Sequence, residues 1–202
     1  MVIINYIDEN LEKVINNPDK VLYLRTYDVR NKSALFAVLK EDTGIYKKVQ
    51  ITKEQSKMIY PWEPLLWFDT SAAGNLLLKD FIILNSNNLA LNKNNIDGFK
   101  IIKNGNFGYN IEIYAVFSDG TATFVRRERE KTFNRNGGID SFNKLLENYN
   151  DNKVNNNKYH IIEFFAVNGS DIIEIPNLRN LDQINEEKAP VKKLGSKPSS
   201  NK

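Results

Sequence analysis

The segment Phe124-Val125-Arg126-Arg127-Glu128-Arg129-Glu130-Lys131-Thr132-Phe133-Asn134-Arg135 concentrates four of the chain's seven arginines. A guanidinium offers a planar fork of donors that fits phosphate and a flat face that stacks on rings. Arginines interleaved with aromatics suit single-stranded nucleic acid, where bases stack while the groove tracks phosphates. Arg126, Arg129, Lys131 and Arg135 are therefore the nucleic-acid-binding candidates. The opposing reading is a solvated strand end, in which Arg127 pairs across a hairpin with Glu112, and Glu128 and Glu130 neutralise their neighbours. Contact with an acidic protein is a third use of the same run.

A second chemistry-bearing stretch is Tyr60-Pro61-Trp62-Glu63-Pro64-Leu65-Leu66-Trp67-Phe68. Trp and Tyr are enriched at interface hot spots, and two prolines favour an extended chain. Tyr60, Trp62 and Trp67 are the protein-interface candidates. The alternative is that the same residues form a lid over a sheet and belong to the core.

Much other chemistry is excluded by residue type. Cysteine is absent, so disulfides, thiolate nucleophiles and thiolate-bound zinc are excluded. The one histidine, His160, alternates with Ile162, Phe164 and Ala166 and reads as a structural residue at a core edge. No Gly-rich phosphate loop, dinucleotide fingerprint, nucleophile elbow, zinc-protease helix or calcium loop occurs. Among carboxylates, Glu112 is explained by Arg127, Glu163 and Glu174 alternate with apolar neighbours, and Asp69 and Asp80 flank apolar runs. No acidic pair with a nearby lysine stands out as a Mg²⁺ site. No catalytic residue, metal ligand or cofactor is assigned.

The elements that position these residues follow from periodicity and turn chemistry. Ile3, Ile4, Ile7, Leu11, Val14 and Ile15 form one helical stripe ended by Asn16-Asn17-Pro18. Strands are predicted over Val21–Tyr27, Ala34–Lys40 and Ile45–Ile51, the last two joined at Glu41-Asp42-Thr43-Gly44. Thr52-Lys53-Glu54-Gln55 fits a capping box that opens a short helix to Ile59. Ser71-Ala72-Ala73-Gly74 reads as a loop, Leu76–Leu84 as a strand, Asn92–Gly98 as a loop and Phe99–Lys103 as a short strand. Asp119-Gly120 suits a two-residue hairpin turn that puts Tyr114 opposite Val125, Glu112 opposite Arg127 and Phe124 opposite Ala115. Ile139, Phe142, Leu145, Leu146 and Tyr149 mark a second helix. Tyr159–Val167 and Asp171–Ile175 read as a hairpin around Asn168-Gly169-Ser170.

These elements amount to an α+β domain with a mainly antiparallel sheet of about nine strands, several hairpins and about three short helices. Residues 1–180 form one β-rich domain, and 181–202 a flexible polar and basic tail without periodicity. Lys188, Lys192, Lys193, Lys197 and Lys202 against Glu186 and Glu187 give +3, the whole net charge of the chain, so residues 1–185 sum to zero. A neutral body lacks the basic excess of a dedicated duplex-binding domain. No signal peptide or membrane span is recognised, which leads to the expectation of a cytoplasmic protein, or a virion component. Asn (29), Ile (21) and Lys (21) dominate, residues with AT-rich codons, as in low-GC bacteria, their phages and mobile elements. The function expected is a non-enzymatic assembly or interaction protein, structural in a virion or binding a host factor. The alternatives are a single-stranded nucleic-acid-binding module and, behind it, a metal-dependent nuclease. A protein partner or self-assembly is expected, nucleic acid enters only through the basic run and tail, and no membrane is involved.

Overall fold

The computed structural model describes residues 5–29, 32–56, 64–84, 88–104, 110–150, 161–164, 172–175 and 192–194. The chain is α+β, built on two six-stranded, mainly antiparallel sheets. It divides into two compact units, Met1–Asn95 with Asn177–Ala189, and Ile96–Pro176 with Pro190–Lys202.

The first unit contains α1 (Asp8–Asn16), β1 (Val21–Val29), β2 (Lys32–Lys40), β3 (Tyr46–Gln50), β4 (Gln55–Ser56), α2 (Pro64–Asp69), α3 (Ala72–Leu77), β5 (Phe81–Leu84) and β6 (Leu89–Asn92). The sheet order is β3-β2-β1-β6-β5, with β4 also on β2. Leu24, Leu35, Ala37, Leu39 and Val49 join Val14, Leu65, Phe68, Leu77 and Leu78 in one buried cluster. Removing these apolar side chains from water is the main force holding helices to sheet.

The helical stripe is real from Leu11 onward, but α1 starts only at Asp8. Residues 5–7 are drawn into strand-like pairing instead: Tyr6 bridges Thr52, Ile7 N donates to Ile51 O at 2.8 Å and Lys53 N to Asn5 O at 2.8 Å. The helix predicted from Thr52 is absent over the described residues 52–56. Thr52 is fully buried and its hydroxyl accepts from Leu35 N at 2.9 Å, so it serves β2 rather than a cap. Gln55–Ser56 then pairs with Lys32–Ser33.

The strand read over Leu76–Leu84 is strand only from Phe81. Ser71 is an N-cap, not loop: its Oγ accepts from Gly74 N at 3.0 Å and opens α3. The loop expected over Asn92–Gly98 is instead the last residue of β6, the 3-10 turn Lys93–Asn95 and the start of the next strand at Ile96. There the amides work as clamps. Asn92 Nδ2 donates to Val21 O at 2.8 Å and Asn95 Nδ2 to Asp19 O at 3.0 Å.

The second unit contains β7 (Ile96–Asn104), β8 (Asn110–Phe117), β9 (Thr121–Arg129), α4 (Glu130–Arg135), α5 (Gly138–Asn150), β10 (Ile161–Phe164), β11 (Ile172–Glu174) and β12 (Lys192–Leu194), in the sheet order β10-β7-β8-β9-β11-β12. α5 packs on β7 through Phe142, edge-on to Phe99 at 5.1 Å.

The central hairpin keeps Glu112 opposite Arg127, but Tyr114 faces Phe124 and Ala115 faces Thr123. The turn is one residue longer than expected. Gly120 N donates to Phe117 O at 2.9 Å with φ at +82°, a left-handed conformation glycine adopts without strain. The register shift between Ile113 and Tyr114 absorbs the extra residue, which is why the far pair is right and the near pairs are displaced.

The predicted Tyr159–Ile175 hairpin does not form. β10 runs parallel to β7 and β11 runs parallel to β9, on opposite sides of the sheet. In register Glu163 is level with Lys100 and Glu174 with Lys192. Lys192–Leu194, expected within a flexible tail, is an edge strand. His160 lies outside the described residues.

Candidate interaction surfaces

Trp67 sits on α2, and the prolines do not hold this stretch extended where it is described. Pro64 takes the first helical position, where its missing N–H is no loss. Leu65 and Phe68, three apart, point inward and are fully buried. Leu66 and Trp67 then face outward, each 40% exposed, and Leu76 on α3 is 57% exposed. These three are the large exposed hydrophobics of the described residues, and all lie on two successive short helices. The joint between the helices is tightly packed. Ser71 Oγ donates to Phe68 O at 2.6 Å, and a Cβ on Gly74 would stand 1.7 Å from Phe68 O. Tyr60 and Trp62 lie outside the described residues.

The four basic candidates do not form one set. Arg126 turns to Glu128, Nη2 to Oε1 3.1 Å. Arg127 pairs with Glu112 as the sequence suggests, and Tyr114 Oη donates to the other carboxylate oxygen at 3.0 Å. Lys103 Nζ donates to Glu130 Oε1 at 2.7 Å. Arg129, Lys131 and Arg135 are exposed and make no ion pair among the described residues. Of the interleaved aromatics, Phe133 is buried, and Phe124 is half-buried, edge-on to Tyr114 at 5.6 Å. The run presents three exposed cations and one half-buried ring, Phe124.

Sequence reading missed a third cluster, on the face of the first sheet opposite its helices. Lys48 Nζ lies 3.9 Å from the Tyr27 ring centroid and 4.5 Å from that of Phe36. The two rings meet edge to face at 5.4 Å. Arg25 lies over Tyr23 at 5.6 Å, and Lys40 over Tyr46 at 5.8 Å. Lys48 is 5% exposed, and burial pushes its ammonium down to about 8. Burial also pushes the Tyr27 phenol up. The signal was available in period two: Tyr23-Arg25-Tyr27, Phe36-Val38-Lys40 and Tyr46-Lys48 each lie on one face of a strand.

Among the described residues no three His, Asp or Glu side chains group as a metal site, and no helix is long and apolar enough to cross a membrane. No protein-family model, curated protein or solved structure matches this chain.

Proposed function

We propose that this chain is a non-enzymatic interaction protein that binds a protein partner, or further copies of itself, through the α2–α3 corner. One observation carries the reading: Leu66, Trp67 and Leu76 are exposed on two successive helices that meet at a tightly packed joint at Ser71 and Gly74. A preformed apolar patch anchored by Trp loses little conformational freedom on docking. The composition, rich in AT-coded residues, is that of a low-GC genome, and the specific form proposed is a virion component or a host-factor-binding protein of a phage or mobile element.

The test is Trp67→Ala, read by oligomer mass and by melting temperature. The expected outcome is weakened association, with a melting temperature within about 4 °C of the parent, the span of roughly 1 kcal/mol in a small domain. A large stability loss would assign Trp67 to the core. A parent chain that stays monomeric at high concentration and binds no protein from its native cell would remove the reading. A single-stranded nucleic-acid contact is the second reading, supported by the exposed Arg129, Lys131 and Arg135, which have no ion-pair partner among the described residues.

A further inference from the structure

The pleat sorts the charges of β9 by face. Residues directly opposite one another on paired strands lie on the same side of a sheet. Glu112 pairs with Arg127 and Asn110 with Arg129, whereas Ile111 pairs with Glu128 and Ile113 with Arg126. Arg127 and Arg129 therefore share one face. Arg126 and Glu128 share the other, where they meet at 3.1 Å. The remaining acid of the run, Glu130, accepts from Lys103. β8 and β9 hold two acids, Glu112 and Glu128, so these strands place Glu112 alone on the face of Arg127 and Arg129. The acids that balance the run along the chain do not balance this face of it.

Glu112 is 4% exposed, and both of its carboxylate oxygens are engaged. One meets Arg127 Nη2, and the other accepts from Tyr114 Oη at 3.0 Å. Arg127 is nonetheless 58% exposed. A guanidinium carries five N–H donors in a fixed fork, so the buried carboxylate holds one edge while the remaining donors reach solvent. An arginine oriented in this way loses less conformational freedom when it binds a second oxyanion. Arg129 stands two residues further on, about 6.6 Å along the strand. It is exposed and has no ion pair among the described residues.

We propose that Arg127 and Arg129 form a phosphate-binding row on this face of the second sheet, and that its ligand is the backbone of a single-stranded nucleic acid. Arg127, held by Glu112, grips one phosphate through its fork, and Arg129 meets a neighbouring one. A fork of donors matches phosphate oxygens where a point charge does not. Two cations in line suit a chain of phosphates better than an isolated one. This inference rests on the nucleic-acid reading above and moves its centre from α4 to the sheet. Arg127, which the cross-strand pair with Glu112 seems to use up, is the best prepared cation of the run. No residue of α2 or α3 takes part.

The experiment measures anisotropy of labelled oligothymidine with the full-length chain. Arg127→Lys keeps a cation beside Glu112 but not the fork, and is expected to weaken binding roughly tenfold, as for one charge-assisted hydrogen bond lost. Long-range attraction alone would leave it unchanged. Arg127→Ala with Glu112→Gln leaves the net charge as it was and strands no buried carboxylate. It should weaken binding at least as much and lower the slope of log affinity against log salt by about 0.7. Lys131→Ala with Arg135→Ala should weaken binding less than either. If the parent binds and only the α4 variant loses affinity, this proposal falls while the nucleic-acid reading stands. A parent that does not bind oligothymidine removes both. Polyglutamate that competes as well as unlabelled oligothymidine, charge for charge, would assign the row to an acidic protein and overturn the proposal.

Discussion

The two sheets hold their buried cationic chemistry in opposite ways. In the first, buried Lys48 lies over the rings of Tyr27 and Phe36. In the second, Arg127 stays 58% exposed and reaches the buried carboxylate of Glu112. A ring face attracts an ammonium through its quadrupole. A carboxylate compensates better but has to be desolvated as well. The residue types suit this division: the compact ammonium fits a cage, and the planar guanidinium fork engages a carboxylate while its stem and outer nitrogens remain wet. Similar strand patterns therefore hide different electrostatics.

The largest expected effect comes from emptying the cage. Phe36→Ala removes a side chain that is 3% exposed and should destabilise by about 3–5 kcal/mol in denaturant titration. A loss under about 1 kcal/mol would show that the cage is not packed core. Breaking the other arrangement should cost less. Arg127→Ala strips Glu112 of its cation but lets water follow into a half-exposed site, so about 1–3 kcal/mol is expected rather than the larger cost of a fully buried pair. Adding Glu112→Gln should recover part of that loss, because the orphaned charge is then gone. No recovery would mean that the pair matters for packing and not for charge.

Substituting the caged lysine itself should do less again. Lys48→Met keeps the length and adds a sulfur that packs well on rings, so stability near pH 7 should change by about 1 kcal/mol or less. Its pH dependence is the sharper test. The folded value of about 8 lies below the ordinary 10.5, so between them the unfolded chain binds more protons and stability rises with pH. Tyr27, held above its ordinary 10.0 by burial, acts in the opposite sense once its unfolded form ionises. The rise should therefore appear between about pH 8 and 10 in the parent and flatten in Lys48→Met. A parallel profile in both proteins would place the Lys48 ammonium in contact with water.

What the sequence disclosed followed how local the cause was. The α+β class, the long hairpin strands and the Glu112–Arg127 pair were legible, because alternation and cross-strand chemistry are written within a few residues. Thr52 was misread because the hydroxyl that fits a cap is taken by Leu35 N, seventeen positions back. Ser71 was misread as loop, although its cap to Gly74 is local, because the apolar residues after it suggested strand. β10 and β11 were paired with each other because parallel partners far along the chain leave no turn signal. At the candidate surface Trp67 was named from residue type alone. Its exposure depends on Leu65 and Phe68 claiming the inner face of α2, a choice made by packing.

The smallest effect on stability should come from the cations that stand in solvent. Arg129, Lys131 and Arg135 project from the end of β9 and from α4, so replacing all three with Ala should leave the melting temperature within about 2 °C of the parent. Arg126 is the internal control, because its bond to Glu128 ties it to the strand. If the chain binds single-stranded nucleic acid through this run, the triple variant should bind oligothymidine or oligouridine more weakly. The slope of log affinity against log salt should shrink by about 0.7 for each phosphate that is no longer neutralised. An unchanged affinity and slope would leave the run as a solvated strand end, and a marked drop in melting temperature would show that these side chains pack after all.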